Sequence, residues 1–190
     1  MNNQHRIVSS ESEELILVDR DDNEIGYASK ADAHDGGGIL HLAFSLFLFN
    51  EAGELLLQQR APSKRLWGGY WSNSCCSHPR RGESLAVATS RRLLDELNFE
   101  AELERVYRFC YKAQFDDAGS ENELCHVFLG KSIEDIQPNE SEIASIRYIT
   151  ADDLAKELEQ HPDSFTPWFK QEWQELNGNY TEQLARYCAV

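Results

Sequence analysis

The nine residues from His41 to Phe49, HLAFSLFLF, carry apolar side chains at both odd and even positions. Successive side chains of a strand point to opposite faces, so a strand of this kind has to be covered on both sides. The segment therefore predicts a central strand with further layers packed above and below it. The residues around it fit that frame. Asn50-Glu-Ala-Gly53 reads as a hairpin turn into a second strand over Glu54–Arg60. Upstream, Glu14–Asp19 predicts a strand, Asp21–Glu24 a polar turn, Ala28–Ala33 a short helix and Gly36–Gly38 a loop. Downstream, Ala61–Trp71 reads as a loop and Ser72–Ser77 as another strand.

Ser84–Leu97 has helical spacing, an N-cap at Ser84, Arg91/Asp95 and Arg92/Glu96 as ion pairs one turn apart, and Asn98 where a left-handed C-cap belongs. Two long strands follow, near Glu102–Phe115 and Glu121–Gly130, then a short one at Ser145–Ile149. Thr150–Asp153 resembles a capping box and starts a helix to about Gln160; Pro167 starts a last helix to about Tyr187. Strands and helices are mixed without βαβ alternation, which predicts the α+β class. The chain has 190 residues with no linker or repeat, so one domain over 1–190 is expected.

Composition narrows the function. The net charge of −15 argues against nucleic acid or an anionic membrane as partner. No apolar run reaches the roughly 18 residues of a membrane span. The opening residues, MNNQHRIVSSESEEL, lack the apolar stretch of a signal peptide, so a cytoplasmic location is expected. Five cysteines without framework spacing read as free thiols. Between Arg60 and Arg92, however, stand seven basic residues and one acid, Glu83. A basic island in an acidic chain focuses a small anion into one cleft, unless these side chains only solvate loops and a helix.

The chemistry-bearing residues gather in the same stretch. His34, His41 and His78 lie near strand ends or loops, and Glu121 and Glu123 share one face of a predicted strand. Three imidazoles with one or two carboxylates form a donor set suited to Zn²⁺, Mn²⁺ or Fe²⁺; the bland reading is ordinary loop histidines and the wet face of an edge strand. His5, His126 and His161 belong to that bland class. Glu96 sits one turn after Arg92, as a ligand for a second divalent ion or as a surface ion pair. Cys76, two residues before His78, is the better nucleophile or proton carrier of the adjacent thiols; Cys75 reads as buried and inert. Trp67, Trp71, Trp168 and Trp173 are core residues by default, although an indole face also stabilises a passing cation by roughly 0.5–2 kcal/mol.

Four blocks, HLAFS (His41–Ser45), RAPSKRLW (Arg60–Trp67), NSCCSHP (Asn73–Pro79) followed by GES, and ENELC (Glu121–Cys125), together resemble type I isopentenyl-diphosphate isomerase. The likeness runs in order from Lys30 to Glu123 and more loosely to Trp168. It implies a Nudix-type fold, mixed β-sheets with flanking helices in an α/β/α sandwich, and a catalytic core at about 30–170. The Nudix signature is altered. Ser77 stands at its leading Gly, Glu83 at its first Glu, Arg91 at its Arg, Arg92 where a Glu is expected, Asp95 and Glu96 at the acidic pair, and Asn98 at the final Gly. An Arg in place of that Glu suits holding a diphosphate more than cutting it.

The resemblance also implies roles. A transition metal, Mn²⁺ or Zn²⁺, would sit on His34, His41, His78, Glu121 and Glu123. Mg²⁺ on Glu96 would be shared with the substrate diphosphate. Lys30, Arg60, Lys64 and Arg92 would contact that diphosphate, Cys76 and Glu123 would exchange protons with Tyr111 assisting, and Trp168 would face a cationic carbon. The implied reaction converts isopentenyl diphosphate to dimethylallyl diphosphate through a tertiary carbocation, in isoprenoid biosynthesis. The other readings are a Nudix pyrophosphohydrolase acting on a nucleoside or other diphosphate, and a non-catalytic, metal-stabilised binding module. A monomer is expected, in the absence of a coiled coil or long apolar surface helix.

Overall fold

The strand at His41–Phe49, β3, is the hub of the sheet. It pairs antiparallel with β1 (Glu14–Val18), β4 (Leu55–Arg60) and β6 (Cys75–Ser77), and parallel with β8 (Gly119–Lys131). The computed structural model describes residues 6–133 and 135–188; His5 lies outside them. Around this hub, β2 (Glu24–Ser29) pairs with β1, β5 (Trp71–Ser72) and β9 (Ile143–Ile149) pair with β4, and β7 (Leu103–Phe115) pairs with β8. The helices are α1 (Lys30–His34), α2 (Leu85–Leu97), α3 (Ala151–Gln160), α4 (Pro167–Asn179) and α5 (Thr181–Leu184).

Helices flank the two faces of the curled mixed sheet, as expected from the apolar pattern of β3. Phe44, Leu46 and Leu48 point to one side and share a core with Ala88, Leu93 and Leu97 of α2. Ala43, Phe47 and Phe49 point to the other and share a core with Trp168, Phe169, Trp173 and Leu176 of α4. Each fully buried Leu or Phe contributes about 1.5–3 kcal/mol relative to an exposed one, which holds both layers onto one strand. Ser84 accepts from the Val87 amide at 3.3 Å, and Asn98 takes a left-handed φ of 59°. Both ends of α2 thus fall where the capping residues put them.

Three local readings are corrected. Glu24–Ser29 is a strand, with the helix beginning only at Lys30, where sequence spacing gave a turn and a helix from Ala28. β2 is an edge strand with no buried residue, so it lacks the alternation by which strands are read. Ser72–Ser77 is interrupted at Asn73 and Ser74, whose side chains replace ladder bonds: Ser74 Oγ accepts from the Leu48 amide at 2.9 Å and donates to the Leu56 carbonyl at 2.6 Å. The last helix ends at Asn179, and the short α5 follows.

Candidate active site

The parallel β3–β8 register sets His41 directly beside Glu123, and the period of two places Glu121 on the same face. α1 brings His34, and the segment after β6 brings His78. The three rings lie 4.8–5.1 Å apart, centroid to centroid. One donor atom from each of His34, His41, His78, Glu121 and Glu123 lies within 4.8 Å of all the others. The backbone fixes two of the imidazoles: His34 Nδ1 is 2.7 Å from the Lys30 carbonyl, and His41 Nδ1 is 2.7 Å from the Ile39 carbonyl. A carbonyl only accepts, so Nδ1 carries the hydrogen and Nε2 presents a lone pair to the cluster. His41 Nε2 is fully buried and has no hydrogen-bond partner. An orphaned imidazole nitrogen aimed at two carboxylates is costly unless a cation completes it, so the residues fit a divalent transition ion.

Electrostatics inside this cluster diverge. Burial and the neighbouring imidazoles of His41 and His34 push His78 well below its ordinary value. Burial also opposes protonation of His34, but the Glu121 carboxylate outweighs it and the group is raised. Burial works against the Glu123 carboxylate too, yet the His41 imidazole 3.6 Å away and the hydrogen bond from Tyr111 hold it below the usual range.

Cys76, Tyr111, Glu121, Glu123 and Trp168 line a cavity of about 450 Å³, within the range of small-ligand sites. The Tyr111 hydroxyl donates to Glu123 Oε2 at 2.5 Å. Cys76 Sγ is 3.7 Å from Arg60 Nη1, and burial pushes its thiol up to about 12 against the pull of that guanidinium. Trp168 is locked by its Nε1–H to Asn73 Oδ1 at 3.3 Å and by an edge contact to Trp67 at 5.3 Å; Arg60 lies over its ring at 5.2 Å. His78 lies beyond the end of β6, so Cys76 and His78 do not share a strand face. The two meet at the same cavity instead.

Lys30, Arg60, Lys64 and Arg92 line the same cavity, Arg60 beside Cys76 and Trp168. The rest of the basic island does other work. Arg80 pairs with Glu13, Arg81 with Glu14, Arg91 with Glu83, and Arg65, on the rim, with Asp35. Glu96 stands apart from the five metal-type ligands. It is 2% exposed, so the surface ion pair is excluded, and its carboxylate is held by Arg92 Nε at 2.7 Å.

Two buried acids were not found from sequence. Glu142 Oε2 takes both Lys64 and Arg92, the latter at 3.2 Å, and these cations hold it below the usual carboxylate range despite burial. It sits in the polar run NESE, where nothing distinguishes it from a solvated loop acid. Glu172 is wholly buried on α4 and does carry a signal: it is an acid on the stripe formed by Trp168, Phe169, Trp173 and Leu176.

Residues 39–169 match the NUDIX domain. The chain is 44% identical over 93% of its length to the isopentenyl-diphosphate Delta-isomerase of Serratia proteamaculans, covering 98% of that protein. It is 41% identical over 90% of its length to isopentenyl-diphosphate Delta-isomerase 1 of Photorhabdus laumondii, covering 99% of it. The chain belongs to the NUDIX family and, within it, to the isopentenyl-diphosphate Delta-isomerases. Among solved structures, a Deinococcus radiodurans protein shares the fold with a TM-score of 0.67 over 92% of this chain and 99% of that one, at 21% identity. A MutT protein of Methanosarcina mazei does so with 0.57 over 77% and 94%, at 17% identity. Membership of the isomerase family favours the isomerase over the pyrophosphohydrolase reading. No described helix is long and apolar enough to cross a membrane.

Proposed function

We propose that the cavity isomerises isopentenyl diphosphate to dimethylallyl diphosphate, using Cys76 and Glu123 as the proton-transfer pair. The supporting observation is the joint lining of one cavity by a neutral thiol, a tyrosine-held carboxylate, an indole face and four cations. An unactivated alkene is a poor base, so a positioned acid must deliver the proton and a second group must remove one from the neighbouring carbon. Cys76 is kept as a thiol by burial, and Glu123 as a carboxylate by its hydrogen bonds. One therefore starts with a proton and the other without. Trp168 stabilises the intervening tertiary cation without attacking it, and the buried walls exclude the water that would quench it.

Lys30, Arg60, Lys64 and Arg92 hold the diphosphate, and that remote binding energy positions the five-carbon tail. Mn²⁺ or Zn²⁺ is the proposed ion on His34, His41, His78, Glu121 and Glu123; when bound it supplies positive charge that orients a Glu123 oxygen and sets its acidity. Mg²⁺ is proposed at Glu96 together with the substrate diphosphate, since that carboxylate lies beside Arg92, which lines the cavity. The proposed setting is a cytoplasmic monomer in isoprenoid biosynthesis. Incubation with isopentenyl diphosphate, Mg²⁺ and Mn²⁺ in D₂O tests the reading. Deuterated dimethylallyl diphosphate without phosphate release is expected; release of phosphate or a monophosphate, or no deuterium incorporation, would overturn it.

A further inference from the structure

Glu172 is 0% exposed and lies one helical turn after Trp168 on α4. Among the described residues no cation pairs with it. The Cys125 thiol, with one hydrogen, lies 3.4 Å from both its Oε1 and Ser45 Oγ, Ser45 is a further hydrogen-bond neighbour of the carboxyl, and its Oε2 is buried with no hydrogen-bond partner. The titratable groups facing it are Cys125 and Glu123 from β8, Tyr107 from β7 and Cys76 from β6. An isolated carboxylate in such surroundings is costly, so the group takes up a proton instead. Burial pushes it up to about 8, Ser45 and Cys125 pull it down, and Glu123 adds to the rise.

Ser45 connects this acid to the reacting thiol. Ser45 and Cys76 are directly opposite in the antiparallel β3–β6 pair, so their side chains stand next to each other on one face of the sheet. Ser45 is itself 1% exposed, and its hydroxyl has a single hydrogen to donate.

We propose that Glu172 is a positioning residue for Cys76: as the neutral acid it donates to Ser45 Oγ and leaves the Ser45 hydrogen free to turn onto the Cys76 sulfur. The role rests on the isomerase reading, in which that sulfur alternates between thiol and thiolate. A hydroxyl donating to the thiolate lowers the barrier to the step in which the thiol gives up its proton. Once Glu172 ionises, its carboxylate is the stronger acceptor, the Ser45 hydrogen turns toward it, and the thiolate loses its donor.

The test is kcat and KM for isopentenyl diphosphate as a function of pH, on the metal-loaded enzyme and on Glu172→Gln, Glu172→Leu and Ser45→Ala. The wild-type kcat is expected to fall about tenfold as pH rises through about 8, the value of a donated hydrogen bond. Glu172→Gln keeps an N–H donor that cannot ionise; it lowers neutral-pH kcat about threefold and removes the fall. Glu172→Leu and Ser45→Ala lower kcat about tenfold at every pH. KM changes little throughout, because neither Glu172 nor Ser45 is among the residues proposed to hold the diphosphate. A fall that persists unchanged in Glu172→Gln overturns the assignment, as does wild-type kcat in Ser45→Ala, a variant small enough to fold if Glu172→Leu does not. A wild-type enzyme that incorporates no deuterium at any pH overturns the isomerase reading itself, and this role with it.

Discussion

Tyr111 and Glu123 face each other across the β7–β8 pair, and the tyrosine hydroxyl donates to Glu123 Oε2 at 2.5 Å. The other oxygen of the same carboxylate, Oε1, is 2.7 Å from His78 Nε2 and 3.6 Å from His41 Nε2. One oxygen thus faces the imidazoles and the other a hydroxyl. Burial and Glu123 together push the Tyr111 phenol well up, so it remains a donor across the working pH range.

Removing that donor has a defined cost. Tyr111→Phe is expected to lower kcat by about tenfold to a hundredfold, as for a hydrogen bond to a charged group, with KM little changed. Glu123→Gln and Cys76→Ala are expected to abolish isomerisation while calorimetry still detects substrate binding. Near-normal turnover by either would remove it from the proton-transfer pair.

Stripping divalent ions with a chelator is expected to silence deuterium incorporation, and Mg²⁺ alone is expected not to restore it fully. Elemental analysis of wild-type protein and His41→Ala gives an independent readout. The variant is expected to hold less transition metal, since it loses a buried imidazole nitrogen of the cluster that has no hydrogen-bond partner. Equal metal content in the two proteins would place the ion elsewhere.

Glu142→Gln leaves Arg92 with one carboxylate instead of two and frees Lys64. A loss of about 3–5 kcal/mol at neutral pH is expected from chemical denaturation, with a raised KM for isopentenyl diphosphate. The pH dependence has a fixed sign. The carboxyl is held below its ordinary value of 4.5, so its stabilisation is present above that value and is lost as pH falls through the lower, folded-state value. Acidification should therefore destabilise the wild type more than Glu142→Gln. Parallel curves would mean that the Glu142 contacts are too weak to matter.

Gly119 takes a φ of 142°, and a side chain there would run into the carbonyl oxygen of His34. Gly119→Ala is expected to displace α1 and weaken transition-metal affinity about tenfold to a hundredfold, with smaller change in global stability. Unchanged metal affinity in a metal-competition titration would show that α1 absorbs the shift without moving the imidazole.

Local rules were enough for much of this chain. The two-sided apolar run of β3 determined a central strand under two layers, Ser84 and Asn98 bounded α2, and the period of two put Glu121 and Glu123 on one face. These features depend on side-chain spacing within a few residues, which the sequence states directly. Tertiary structure decided what spacing does not encode. The parallel β3–β8 register, between strands some eighty positions apart, brought His41 to Glu123. The segment after β6 brought His78 there, and the loop before β9 brought Glu142 to Arg92, whose pair with Glu96 spacing alone had given. Burial decided the rest: only the packing of α4 on the sheet turns Glu172 from a helix-surface acid into a neutral one, because the energy of a charge depends on the solvent removed around it.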